Sequence, residues 1–326
     1  MRALQLALTV AVTWLILDRL GLGLSELGSQ LAEVDSSLWL PDPLLLAAAS
    51  LLLLAAYFVS AALWGLIVRE LGGPRLPLGD AVRIFMIANL GRYVPGKVWQ
   101  IAGLAVLARR RGVPPGTAAS AAVLGQGIAL VAAAAVGMGA LLSGPESYRR
   151  WGVVGAAAVL VAAALLAIPA VFRTLAGGWL RLTRTEAPEE LGVRHGLRWL
   201  ALYVLNWAMY ALAFWILVRS LGSAGALLPV ASAFAAAYVL GYAMIFAPAG
   251  LGPREGFLIV FLTPHLGAGA SGVIAIVSRL WTTLVELAPA AVFWLGWMRA
   301  NPPVDGEGTS ASAGAPPAGS SRGEAS

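Results

Sequence analysis

NLGRYVPGKVWQ, from Asn89 to Gln100, and APAGLGPREGF, from Ala247 to Phe257, set proline, glycine and charge inside sequence that otherwise reads as membrane-buried. Ionic groups at that depth cost about 2.5–3.5 kcal/mol each on insertion scales, and they mark a substrate path or an internal ion pair. Lys97, in the first stretch, is the only lysine of the chain, although a coding bias toward arginine would also leave lysine rare. How these two stretches are accommodated decides the fold.

The surrounding composition is that of an integral membrane protein. Hydrophobic residues make up 59% and charged residues 12%, with a mean hydropathy of +0.81, against roughly 45–50% and about 25% in soluble domains. The charge-free runs Pro43–Val68, Gly112–Pro145, Trp151–Phe172, Trp199–Val218 and Ser220–Pro253 each reach the roughly 20 residues that a spanning helix needs. The absence of cysteine excludes disulfides, thiol catalysis and thiolate metal sites. Net charge is +6, but the arginines fall in short loops between apolar runs, the pattern of topology signals rather than of a nucleic-acid face. Residues Arg2–Leu17 have the outline of a signal peptide, yet Asp18 and Arg19 follow directly and no small-residue cleavage site appears, so they read as a retained first span.

The fold class expected is all-α and polytopic, with about six full spans plus two re-entrant helical hairpins. The spans are Ala3–Leu22, Leu44–Val68, Thr117–Leu142, Trp151–Phe172, Trp199–Val218 and Gly272–Trp297. The hairpins pair Leu78–Val94 with Val98–Leu107 around Pro95-Gly96, and Pro229–Ala247 with Arg254–Leu266 around Pro248–Pro253. Their arms are too short or too polar for ordinary spans, and broken backbone at membrane depth needs protein or a water-filled cavity around it. The loop with Glu26, Glu33, Asp35 and Asp42 has no basic residue after Arg19, whereas the next holds Arg69, Arg75 and Arg83. The positive-inside rule then puts the second loop and both termini in the cytoplasm. Residues 1–299 form the transmembrane domain, and 300–326, rich in Pro, Gly, Ser and Ala, form a disordered cytoplasmic tail.

Superposing the two breaks aligns Pro95 with Pro248, and the same shift aligns Gln126 with Arg279. Each unit reads apolar arm, Pro/Gly break, charge, short arm and long helix, and three intervening spans give the two copies opposite orientation. Inverted repeats with discontinuous helices are a transporter signature.

A half-helix that starts inside the membrane aims unpaired N–H groups and a positive dipole end at the cavity, a position that favours anions. Lys97 and Arg254 sit at the two starts, with Arg92 and Arg279 as further donors. Phosphate is the natural guest, since arginine offers it a planar bidentate fork. Gly91, Gly96, Gly250 and Gly252 permit close backbone approach, while Pro95 and Pro248 break the helices. Glu255 and Glu286 either contact an amine on the guest or pair internally with the arginines and pin the hairpins. Asn89, Tyr93, Trp99 and Gln126 are secondary candidates. Trp151, Trp199, Trp207 and Trp297 flank apolar runs and are expected as interfacial anchors. Gly125, Gly127, Gly137 and Gly139 are expected to allow close helix packing. No metal or cofactor is expected: His195 and His265 lack ligand-spaced partners, and no nucleotide-binding glycine motif occurs.

At these residues the chain resembles the flippase-like membrane domain found in lysyl-phosphatidylglycerol synthases and in many stand-alone bacterial and archaeal proteins. The resemblance rests on the motif from Asn89 to Trp99, the motif from Pro248 to Gly256, and the helix bearing Arg279 and Glu286. It implies lipid translocation between leaflets of the bacterial inner membrane, by a stand-alone member without a synthase domain and hence without enzyme activity. The implied partners are membrane lipids, an anionic or aminoacylated phospholipid or a polyprenyl-phosphate lipid, with no nucleic acid and with room for a homo-oligomer or an envelope-enzyme partner. Two other readings fit the same charges: a secondary transporter of a small anion, and a non-transporting scaffold for an envelope enzyme.

Overall fold

The computed structural model describes residues 40–93, 98–146, 149–150, 153–155, 157, 191–244 and 252–300, with side chains to residue 296. Its helices are α1 (Pro43–Glu70), α2 (Leu78–Asn89) continued by a 3-10 turn (Leu90–Tyr93), α3 (Val98–Arg109), α4 (Pro115–Leu142), α5 (Val193–Ser220), α6 (Leu227–Ala243), α7 (Pro253–Leu266) and α8 (Ala268–Ala300). No strand occurs among the described residues. Helices α1, α4, α5 and α8 are long and apolar enough to cross a membrane, in agreement with four of the expected spans. The expected span Ala3–Leu22, nearly all of Trp151–Phe172, and the tail beyond residue 300 lie outside the described residues.

Helix ends follow from local sequence. Asp42 caps α1, its Oδ1 accepting from the backbone N–H groups of Leu44 and Leu45 at 2.9 and 3.0 Å, with Pro43 in the first turn where no N–H is needed. The far ends of α1 and α5 carry the related runs LIVRELGG, Leu66 to Gly73, and ILVRSLGS, Ile216 to Ser223. Both close with a Schellman turn: Gly72 and Gly222 take φ of 83° and 76°, and the next N–H returns to the carbonyl of Val68 or Val218. This repeated ending is independent of the two breaks.

Helices α1 and α5 pack along most of their length and run antiparallel. At one end the Asp42 N–H donates to the Ser220 carbonyl at 2.7 Å. At the other, Glu70 pairs with Arg198 and accepts from Trp199 Nε1.

The short helices fold as two antiparallel pairs. Gly91 lies so close to the backbone of Trp99 and Gln100 that a Cβ would come within 2.7 Å of the Gln100 nitrogen, and further along Gly103 faces Ala88. Likewise Gly241 leaves space for the backbone of Arg254, and Gly225 for Leu266. Among the described residues the element order is long, short, short, long, given twice. The shift that brings Pro95 onto Pro248 also brings Pro115, first residue of α4, onto Ala268, first residue of α8. Packing is reciprocal as well: α4 covers the second pair through α6, and α8 covers the first through α2.

Without a hydrophobic drive between helices in lipid, association depends on close van der Waals fit, which small residues allow. Gly137 and Gly139 press α4 onto α6, where a Cβ on Gly137 would sit 2.7 Å from the Ala236 nitrogen. Gly125 accommodates the Tyr203 hydroxyl in the same way, whereas Gly127 faces open space. Gly137→Val is therefore expected to destabilise the protein by about 1–3 kcal/mol, while Gly127→Val stays within about 0.5 kcal/mol of the parent. Unfolding in detergent, followed by tryptophan fluorescence, checks both.

Candidate functional site

The 3-10 turn that ends α2 carries Arg92 and Tyr93 towards α8. There Glu286, 2% exposed, receives both: Arg92 Nη1 stands 3.2 Å from its Oε1, and the Tyr93 hydroxyl donates to its Oε2 at 2.9 Å. Arg279 lies seven positions earlier on α8, so it shares that helix face. It pairs with Glu255 of α7 at 3.6 Å. Glu255 has a second task, since its other oxygen accepts the Gly252 N–H at 2.7 Å and closes the N-terminus of α7. Gly252 itself holds φ 86°, a conformation that glycine takes without strain. The positive end of α7 thus already has an anion, supplied by its own sequence.

Arg254, next to that cap, makes no ion pair with a described residue. Its guanidinium lies over the Phe234 ring of α6, 4.7 Å from the centroid, at which range the ring quadrupole attracts a cation.

These groups face one cavity between the two helix pairs and α1, α5 and α8. Its empty volume is about 1040 Å³, counting space continuous with solvent. Of the predicted residues, Arg92, Tyr93, Gln126, Arg254, Arg279 and Glu286 line it. Glu255 stands behind Arg279 and is not part of the wall. Asn89 is buried beside it, where its Oδ1 accepts from Gln100 Nε2 at 2.6 Å and braces the first pair. Gly91 serves that same pair, its bare Cα admitting the chain's own backbone. Trp99 is 53% exposed and outside the cavity. Pro95, Gly96, Lys97, Pro248 and Gly250 lie outside the described residues.

The aromatic lining was not foreseen. Tyr57, Tyr210, Tyr238, Tyr242 and Trp207 join Tyr93 around the charges, and Tyr203 lines an adjoining cavity. Six of the chain's seven tyrosines therefore face these joined spaces. Trp207 corrects the expectation of an interfacial anchor: it is buried at the cavity wall, its ring 4.6 Å from that of Tyr238. Trp199 is fully buried as well, held by Glu70. The signal was available, since interfacial anchors belong at span ends and Tyr57 and Tyr210 stand well inside their apolar runs.

The family description for the lysylphosphatidylglycerol synthase TM region matches residues 2–290. The chain belongs to this family. None of the curated proteins matches it. Three arginines and two carboxylates gather about one aromatic cavity, leaving a cation in excess among the described residues.

Removing one partner of a buried pair costs about 3–5 kcal/mol, because the other charge stays desolvated, whereas replacing both by apolar groups is often neutral. Glu286→Ala is expected to lose stability in that range. The Arg92→Leu/Glu286→Leu double variant should recover most of it, as a double-mutant cycle of detergent unfolding would measure.

Proposed function

We propose that this chain moves a phosphate-bearing lipid head group between membrane leaflets, and that the cavity between its two helix pairs holds the head group on the way. The observation that carries this reading is the convergence of Arg92, Arg254 and Arg279 on one cavity with, among the described residues, only Glu255 and Glu286 to balance them. A mobile anion completes that balance, and a phosphate fits guanidinium forks. Because Glu255 closes the start of α7, the head group is assigned to the guanidinium groups rather than to that helix end. Lys97 at the first break is assigned to the same guest from its place in the sequence.

The architecture favours alternating access. With 12, 12, 17 and 14 residues, α2, α3, α6 and α7 fall short of the roughly 20 needed to cross a bilayer. Re-entrant hairpins are the consistent arrangement. The antiparallel α1 and α5, with their matching endings, favour an inverted repeat whose site lies near the midplane. Cytoplasmic termini and an inner-membrane location follow from the arginine-rich loops. The partners are lipids, and no bond-making step is assigned.

Reconstitution in liposomes tests the reading. Head-group-labelled anionic, aminoacylated or polyprenyl-phosphate lipid should become accessible to an external reagent at least ~10-fold faster than in empty liposomes. Arg254→Gln and Arg279→Gln should each slow that exchange by about tenfold or more, the scale of a lost charged hydrogen bond. Exchange equal to empty liposomes with every lipid would refute lipid transport. Saturable uptake of free phosphate instead would establish the small-anion reading.

A further inference from the structure

The cavity has two unlike halves. The first holds Arg92, Arg254, Arg279 and Glu286. The second, opening between α1, α4, α5 and α6, shares Arg92, Gln100, Gln126 and Trp207 with the first and adds Ser60, Tyr203 and Asn206. Apart from Arg92, its described lining contains no charged residue; amides, hydroxyls and aromatic rings share it with the aliphatic side chains of Ile101, Leu104 and three alanines of α4.

Asn206 marks what this half lacks. It is 1% exposed, and its Nδ2 donates to Ser60 Oγ at 2.7 Å. Ser60 spends its one proton on the Ala56 carbonyl at 3.0 Å, and its oxygen also meets the Tyr210 hydroxyl at 3.0 Å. Nothing remains there for the Asn206 Oδ1, which is buried without a hydrogen-bond partner. A bare buried acceptor costs about 1–3 kcal/mol. The group that relieves it must bring a donor into an uncharged, aromatic-walled space.

An ammonium would bring a donor, but it would enter a half that has no carboxylate and already holds the Arg92 guanidinium. Glu286, the one acid among the described lining residues, is engaged by Arg92 and Tyr93. A polyhydroxylated ring suits the space better. Its C–H faces pack on tyrosine and tryptophan rings, and its hydroxyls both donate and accept, matching amide side chains.

We propose that the second half is a glycosyl subsite, so that the substrate is a lipid phosphodiester bearing a sugar or another cyclic polyol, and not an aminoacylated lipid. This rests on the assignment of the arginine half to phosphate. The lipid portion can be a polyprenol or a diacylglycerol, and the test separates the two.

The full chain in detergent is titrated, with tryptophan fluorescence as readout, against a glucosyl phosphate ester of a polyprenol and against the methyl phosphate ester of the same polyprenol. Tail and charge are identical, so only the sugar differs. Phosphatidylinositol against phosphatidylglycerol gives the same comparison on diacylglycerol, and lysyl-phosphatidylglycerol tests the amine. The sugar or inositol ester should bind ~10-fold more tightly than its partner, in one tail series or both. Asn206→Leu should reduce that ratio to near one; if this variant does not assemble, Gln126→Leu carries the same expectation. Equal affinity of the paired esters, or tighter binding of lysyl-phosphatidylglycerol than of either polyol ester, overturns the glycosyl subsite. If Arg279→Gln still weakens both esters of a pair, the phosphate reading survives that result; if it weakens neither, the phosphate reading fails with it.

Discussion

A carboxylate that is almost wholly shut off from solvent needs polar partners, and Glu286 has them from the other half of the chain. Arg92 and Tyr93 reach it from the turn after α2, nearly two hundred positions earlier in sequence. The contact joins the first helix pair to the last long helix and fixes which side of α8 faces inward. Arg279, on the same face, is thereby turned toward α7 and Glu255.

Glycine makes the enclosure tight enough to be useful. Two helices approach through Gly137, and each short pair turns back on itself through Gly91 with Gly103, or Gly241. These are contacts of backbone on backbone, which no larger residue allows. Their consequence is that each pair closes tightly on itself. The cavity therefore sits between the pairs, where the charges already are.

Much of this was legible beforehand because it depended on local rules. Apolar runs of spanning length gave α1, α4 and α5 their places, and α8 reached spanning length despite Arg279 and Glu286. Pro and Gly within charged stretches placed the interruptions, and the convergence of Arg92, Arg254, Arg279 and Glu286 followed from treating the two stretches as one site. What escaped was pairing and direction. Glu255 was visible as a charge beside a helix start, yet its dual bond to the Gly252 N–H and to Arg279 depends on how α7 meets α8. Tyr57 and Tyr210 looked like ordinary members of apolar helices, because the inward face of an all-apolar helix carries no periodic mark, and Trp207 read as an interfacial anchor. The matching endings of α1 and α5 were in plain sequence but lay away from the breaks, where similarity was sought.

The ion pairs also bear on how a carrier can release what it binds. A site that holds an anion with fully satisfied, buried cations would bind it too well to let it leave. Here Arg92 and Arg279 already own carboxylates, at 3.2 and 3.6 Å, separations long for charge-assisted hydrogen bonds, which run at about 2.7–2.9 Å. On the proposed reading, an arriving phosphate competes with Glu286 and Glu255 at Arg92 and Arg279, and its net gain there is the difference between two sets of contacts. When it departs, the glutamates close on those two arginines again, and Arg254 is left over the Phe234 ring. Such an exchange keeps the occupied and empty states near one another in free energy, the condition under which a modest differential affinity suffices to shift the population of either. The same carboxylates that anchor the helix pairs thus limit how tightly the site can hold its guest.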